Sequence, residues 1–302
     1  MTLTVAYAPD ERGKTALHLA SMLARSFGDE LVVCSVIPAP WVPGMARIDA
    51  EYRKELDEIA DQALALARKN LPGDVSATFE RHSARSAPTG LLQVAKQHDA
   101  YMIVVGTSSA GVFGHIALGS VTNRLLHSSP VAVALAPRGF RSQPGAKVKR
   151  VTAAYGGSAS DESLLLAAAR VAARVGASLR IVSFAVWSRP AYTTRLGTDS
   201  EDLVLQEWIT DLEKSVHAAL EQVEVLAKVP RQVETVVGHG ESWEEAIDDV
   251  GWDDDDVLVV GSSPVGPIAQ VFLGSRGAKI LRSSPVPVVV VPHGQAEEFA
   301  NR

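Results

Sequence analysis

The stretch Val104-Val105-Gly106-Thr107-Ser108, continuing to Leu118-Gly119-Ser120, Ser128-Ser129-Pro130-Val131 and Pro137, is written twice in this chain. Its second copy runs Val259-Val260-Gly261-Ser262-Ser263, then Leu273-Gly274-Ser275, Ser283-Ser284-Pro285-Val286 and Pro292. The spacing between copies, Gly106 to Gly261, holds at every point without a gap. An apolar run, a glycine, small polar residues and then Gly-Ser read as a strand, a loop and the opening of a helix. The repeat therefore divides the chain into two homologous halves.

Outward from this stretch, short apolar runs alternate with longer helical patterns. In the first half, strands are expected at Leu3–Ala8, Leu31–Ile37, Val75–Arg81, Tyr101–Val105 and Val131–Leu135. Helices are expected at Thr15–Phe27, Met45–Asn70 and Thr89–Gln97, and after Gly119-Ser120. Gly28 stands where a helix ends in a left-handed residue. The second half repeats the order. Its strands are expected at Val151–Tyr155, Leu179–Val186, Gln232–Val237, Val257–Val260 and Val286–Val291. Its helices are expected at Glu162–Val175, Ser200–Lys228, Ser242–Val250 and Gly274–Arg282. Continuous apolar strands alternating with helices imply an α/β fold, with a five-stranded parallel sheet per half and helices on both faces. The domains are set at 1–138 and 148–294, joined by a linker at 139–147 in a basic stretch without periodicity. Ligands of such sheets bind beyond the carboxyl ends of the strands.

The 302 residues suffice for two ordinary domains, and 46% hydrophobic with 21% charged residues is normal for a globular protein. A net charge of −6 disfavours nucleic acid as a partner. No apolar run reaches membrane-spanning length, and the opening residues lack a signal-peptide pattern. The single cysteine, Cys34, sits in Leu31-Val32-Val33-Cys34 and reads as a buried thiol. The absence of a disulfide fits a reducing, cytoplasmic setting.

Two readings of the Gly-Ser turn stand side by side. As an anion site, the helix start offers free N–H groups, glycine permits close backbone approach, and the serine hydroxyl adds a donor. As a purely structural device, Ser120 and Ser275 cap helices while Gly106 and Gly261 serve the turn.

These repeated stretches, with Ser129-Pro130-Val131-Ala132-Val133, resemble the C-terminal signature of universal stress proteins. The resemblance covers both halves, so the chain looks like a tandem member. It implies two flavodoxin-like, Rossmann-like domains of the adenine nucleotide alpha hydrolase-like type, each with strand order 3-2-1-4-5. It also implies pairing of the two halves within the chain, in part through their last strands, and further homodimerisation. Such pairing, expected here face to face, would cover the apolar edges Val131–Leu135 and Val286–Val291.

Some members bind ATP through Gly, two residues, Gly, nine residues and Gly-Ser. That pattern falls on Gly106, Ser109 and Gly119-Ser120, and on Gly261, Pro264 and Gly274-Ser275. The middle glycine is lost both times, and proline also removes an N–H donor. An Asp that nucleotide-binding members carry after the first strand aligns with Ala8 and Gly156. The expectation is a binding and signalling module with no turnover of its own and a nucleotide site degraded in both halves. The alternative is an ATP-binding protein or slow ATPase using the first half. The site candidates are Gly106, Thr107, Ser109, Gly119, Ser120 and Thr122, then Gly261, Ser262, Gly274 and Ser275. No catalytic residue and no metal site is assigned, and ATP is the one cofactor considered.

Other motifs carry less. Ala8-Pro9-Asp10-Glu11-Arg12-Gly13-Lys14-Thr15 imitates a P-loop, but its carboxylates would repel phosphate. Gly156-Gly157-Ser158-Ala159-Ser160-Asp161 reads as a turn into a helix capped by Ser160 or Asp161. Asp253 to Asp256 reads as a solvated loop. The eight histidines show no metal-ligand spacing. Trp41 and Trp187 form either a lid over the strand ends or part of the contact between halves.

Overall fold

The computed structural model describes residues 1–39, 46–107, 112–157, 159–187, 198–226, 230, 232–262 and 275–301. The first half contains β1 (Thr2–Ala6), α1 (Glu11–Phe27), β2 (Glu30–Pro38), α2 (Ala46–Asn70), β3 (Ala77–Ala84), α3 (Ala87–Gln97), β4 (Met102–Gly106), α4 (Ser120–Ser128) and β5 (Ala132–Ala136). The second contains β6 (Arg150–Ala154), α5 (Ala159–Val175), β7 (Ser178–Val186), α6 (Thr198–Leu226), β8 (Val233–Gly240), α7 (Trp243–Asp248), β9 (Asp256–Gly261), α8 (Ser275–Ser283), β10 (Val288–Val291) and α9 (Ala296–Asn301).

Each half is parallel throughout, in the order 3-2-1-4-5. The two sheets merge into one of ten strands, β3-β2-β1-β4-β5-β10-β9-β6-β7-β8. Its single antiparallel step is β5 against β10, with Val133, Ala134 and Leu135 opposite Val290, Val289 and Val288. The halves thus join edge to edge, where face-to-face packing was expected. The physical reason is that the apolar edges satisfy their open N–H and C=O groups only by hydrogen bonding to another strand. The antiparallel junction also sends the strand carboxyl ends of the two halves to opposite ends of the sheet.

Successive strand side chains point to opposite faces. Met102 and Val104 join a core with α1, α5, α6 and α9, while Ile103 and Val105 join a second with α3, α4, α7 and α8. Burial on both faces is why these strands read as unbroken apolar runs.

Some boundaries differ from expectation. α1 starts at Glu11 rather than Thr15, because the Asp10 side chain accepts from the N–H groups of Arg12 and Gly13. It ends as expected at Gly28, with φ 73°. β3 lies later in the chain, since Val75 N–H closes a turn onto the Pro72 carbonyl. α9 was not anticipated; its six residues are too short for a periodic signal. The segment after β5 lies along α1, with Arg141 paired to Glu11 and Val148 N–H donating to Ser26 Oγ at 2.8 Å.

Candidate functional site

The carboxyl ends of the central strands, where ligands of this topology are bound, differ between the halves. In the first, Gly106 ends β4 against the first turn of α1. A β-carbon there would lie 2.0 Å from the Arg12 carbonyl oxygen and 2.6 Å from Thr15 Oγ1. Gly13 is equally constrained, since its β-carbon would fall 1.9 Å from the Ala8 carbonyl oxygen. The loop after β1, the start of α1 and the end of β4 are therefore in backbone contact. In this half glycine serves helix–strand packing.

Thr107 follows, 2% exposed. Its hydroxyl donates to the Ala117 carbonyl at 2.8 Å and also accepts from Ala117 N–H. One buried side chain thus closes the loop between β4 and α4. Gly119 is the N-cap of α4 and makes no side-chain capping bond. Ser120 is the first helical residue and exposed, so it does not cap the helix. Thr122 is buried in the first turn. Ser109 lies outside the described residues.

In the second half, among the described residues, a β-carbon at Gly261 would meet only Leu164, at an ordinary 3.5 Å. The space left open is a cavity of about 220 Å³ lined by Asp161, Leu164, Gly261, Ser262, His293 and Glu297, among others. Ser262 is buried at the position of Thr107, and its hydroxyl accepts from His293 N–H at 2.7 Å. Asp161 lies inside α5 rather than capping it, and its Oδ2 accepts from Gly156 N–H at 3.1 Å. Ser275 opens α8 and is exposed, while Gly274 lies outside the described residues.

The repeated Ser-Pro-Val has a structural task in both copies. Ser129 and Ser284 are fully buried, and their hydroxyls donate to the Val131 and Val286 carbonyls at 2.7 and 2.9 Å. Trp187 lies at the end of β7, where its N–H donates to the Gly240 carbonyl. Two strands separate β7 from β10, so Trp187 is not part of the β5–β10 contact. Trp41 lies outside the described residues.

Asp253 and Asp254 lie exposed in a loop, as expected of the acidic run, but the run also docks basic side chains and its last member is buried. Asp256, 1% exposed, accepts from Arg150 Nε at 2.9 Å. Asp253 pairs with Arg150, and Asp255 with Lys149 at 2.6 Å. Sequence reading missed this because Arg150 and Arg180 come from distant strands. Burial pushes the Cys34 thiol up to about 12. Among the described residues, no group of three His, Cys, Asp or Glu is placed to hold a metal ion, and no helix is long and apolar enough to cross a membrane.

The duplicated 3-2-1-4-5 sheet, with a glycine at the end of each fourth strand and a Gly-Ser helix start in the sequence, defines a tandem α/β protein of the flavodoxin-like class. A model of the universal stress protein family matches residues 1–137 and 147–292. The chain belongs to the universal stress protein family. Universal stress proteins of Mycobacterium bovis and Mycobacterium tuberculosis are each 33% identical to it over 296 residues, 97% of this chain and 100% of theirs. The fold also matches the crystal structure of a universal stress protein from Archaeoglobus fulgidus, with a TM-score of 0.60 and 18% identity over 97% of this chain and 98% of that one. A functionally unknown protein from Pseudomonas aeruginosa gives 0.57 and 15%, over 99% and 95%.

Proposed function

We propose that this chain is a non-catalytic binding and signalling module of the cytoplasm, with the strand-end site for a full nucleotide degraded in both halves. The observation that carries this reading is the contact of the first turn of α1 with the end of β4. Backbone sits 2.0 Å from where a side chain at Gly106 would begin. Thr107 is committed to Ala117, and Ala8 and Gly156 stand where nucleotide-binding members carry an aspartate. In the second half the cavity of about 220 Å³ falls below the roughly 300–1,000 Å³ of small-molecule sites.

Isothermal titration of the whole chain with ATP and magnesium tests the reading. The expected result is no heat of binding at micromolar concentrations. A micromolar affinity with a stoichiometry of one or two overturns it.

The second reading, an ATP-binding protein or slow ATPase using the first half, draws on the uncapped N-terminus of α4. Gly119 contributes no side-chain bond there, so the first-turn N–H groups are not satisfied by a cap. On that reading Gly119→Val abolishes a measurable ATP affinity while Gly274→Val leaves it intact.

A further inference from the structure

The chain continues past β10 in an ordered path. Pro292 accepts from Gln295 N–H at 3.0 Å, Gly294 adopts φ 78°, and α9 runs back against α5. This segment lies beyond the residues that the family match covers. It is fastened at both ends. At its start, His293 N–H is bound to the buried hydroxyl of Ser262. At its far end, Phe299 is 6% exposed, belongs to the core shared by both halves, and borders a narrow apolar gap between them together with Leu23, Phe27 and Met102 from one and Val171, Val259 and Val289 from the other. Arg174 adds a link across the seam: its guanidinium lies 5.1 Å from the Phe27 ring centre and donates to the Ala300 carbonyl at 3.4 Å.

The same segment forms one wall of the strand-end cavity of the second half, through His293, Gly294, Ala296 and Glu297. The opposite wall is Asp161, Leu164, Gly261 and Ser262. The first half holds the equivalent hydroxyl differently, because Thr107 is bound by its own loop at Ala117. Among the described residues, it is in the second half that a segment seated between the two halves also reaches a strand-end hydroxyl.

We propose that residues 293–301 are a strap that closes the strand-end cavity of the second half. The seating of Phe299 between the halves sets how far that cavity opens. The proposal rests on the reading of the strand ends as the binding surface. Closed, the strap blocks an anionic ligand in two ways. It keeps the cavity below the size of a ligand site, and it brings Glu297 into a wall that already contains Asp161, so that two carboxylates oppose a phosphate. Unseating Phe299 removes one whole wall and one of these charges together. Cavity access and the seam between halves are coupled through one bistable segment.

The test uses thiol reactivity in the full chain without nucleotide. Gly261→Cys places a thiol in the cavity wall, where, among the described residues, its β-carbon has only the ordinary contact with Leu164. Cys34, buried with its thiol at about 12, serves as an internal reporter of global opening. Dithionitrobenzoate labelling of Gly261→Cys is compared with and without Phe299→Ala. The expected result is labelling about tenfold faster with Phe299→Ala, the signature of a local opening, while Cys34 stays slow. Equal rates, or acceleration of Cys34 to the same degree, overturn the proposal. If Phe299→Ala does not fold, Ser262→Ala decides, since it removes the acceptor of His293 N–H and is expected to accelerate labelling in the same direction. No ligand enters this assay, so it can fail while the nucleotide titration succeeds, and the reverse.

Discussion

Replacing Asp256 by Asn strikes a charge cluster present in only one half. Asp256 is 1% exposed at the start of β9 and accepts from Arg150 Nε at 2.9 Å and from Asp253 N–H at 3.1 Å, with Arg180 at 3.8 Å. Arg180, itself buried, holds Glu234 at 2.5 Å and the Gly251 carbonyl at 2.7 Å, and lies 5.7 Å from the Trp252 ring centre. By strand register, Thr2, Val32, Thr78 and Tyr101 occupy the corresponding places of the first half. Removing one partner of a buried pair costs about 3–5 kcal/mol, because the remaining charge stays desolvated. Both arginines keep other acceptors here, so the low end, about 3 kcal/mol, is expected. That corresponds to a fall in Tm of roughly 6 °C at about 2 °C per kcal/mol for a large domain. Urea denaturation should show a lower midpoint at unchanged slope, with Tyr101→Phe as the comparison from the first half. A loss below about 1 kcal/mol would show that the cluster is no better than an exposed ion pair, which is the size such pairs reach, and would refute the reasoning.

The same cluster sets an acid limit. Burial alone would raise the Glu234 carboxyl, but the Arg180 hydrogen bond and the charges of Arg180 and Arg150 reverse this and hold it below its ordinary value. A lowered carboxylate contributes stability above its unfolded pKa, about 4.3, and that contribution is lost as pH falls through the folded value. The second half should weaken below about pH 4.3, modestly because Glu234 is half exposed, and Glu234→Gln should flatten that part of a stability–pH curve. Gly106→Ala should cost about 3 kcal/mol by overpacking against the Arg12 carbonyl, whereas Gly261→Ala should cost well under half as much; equal losses in thermal melts would contradict the asymmetry of the strand ends. Native Cys34 should resist dithionitrobenzoate at pH 8 and react within the mixing time in urea, which a single absorbance trace reports.

Much of the architecture was legible locally. A buried parallel strand has to be apolar along its length, so Met102–Val105 and Val257–Val260 announce themselves. Gly28 ends α1 because only a left-handed residue fits there. The candidate site was less legible. Gly106 and Gly261 are the same letter in the same motif, yet one touches backbone from α1 and the other faces a cavity. Thr107 and Ser262 stand at the same place, but one hydroxyl meets its own loop and the other meets His293.

The sequence by itself determined the duplication, the strand and helix alternation in each half and the family, because periodicity and spacing are short-range properties of the chain. Only the tertiary structure decided that the halves share one sheet through β5 and β10. It alone seated α1 against the end of β4 in the first half and left a strapped cavity in the second. A hydrophobic pattern records that a residue is buried and not what buries it, and each of these outcomes depends on partners far apart in the sequence.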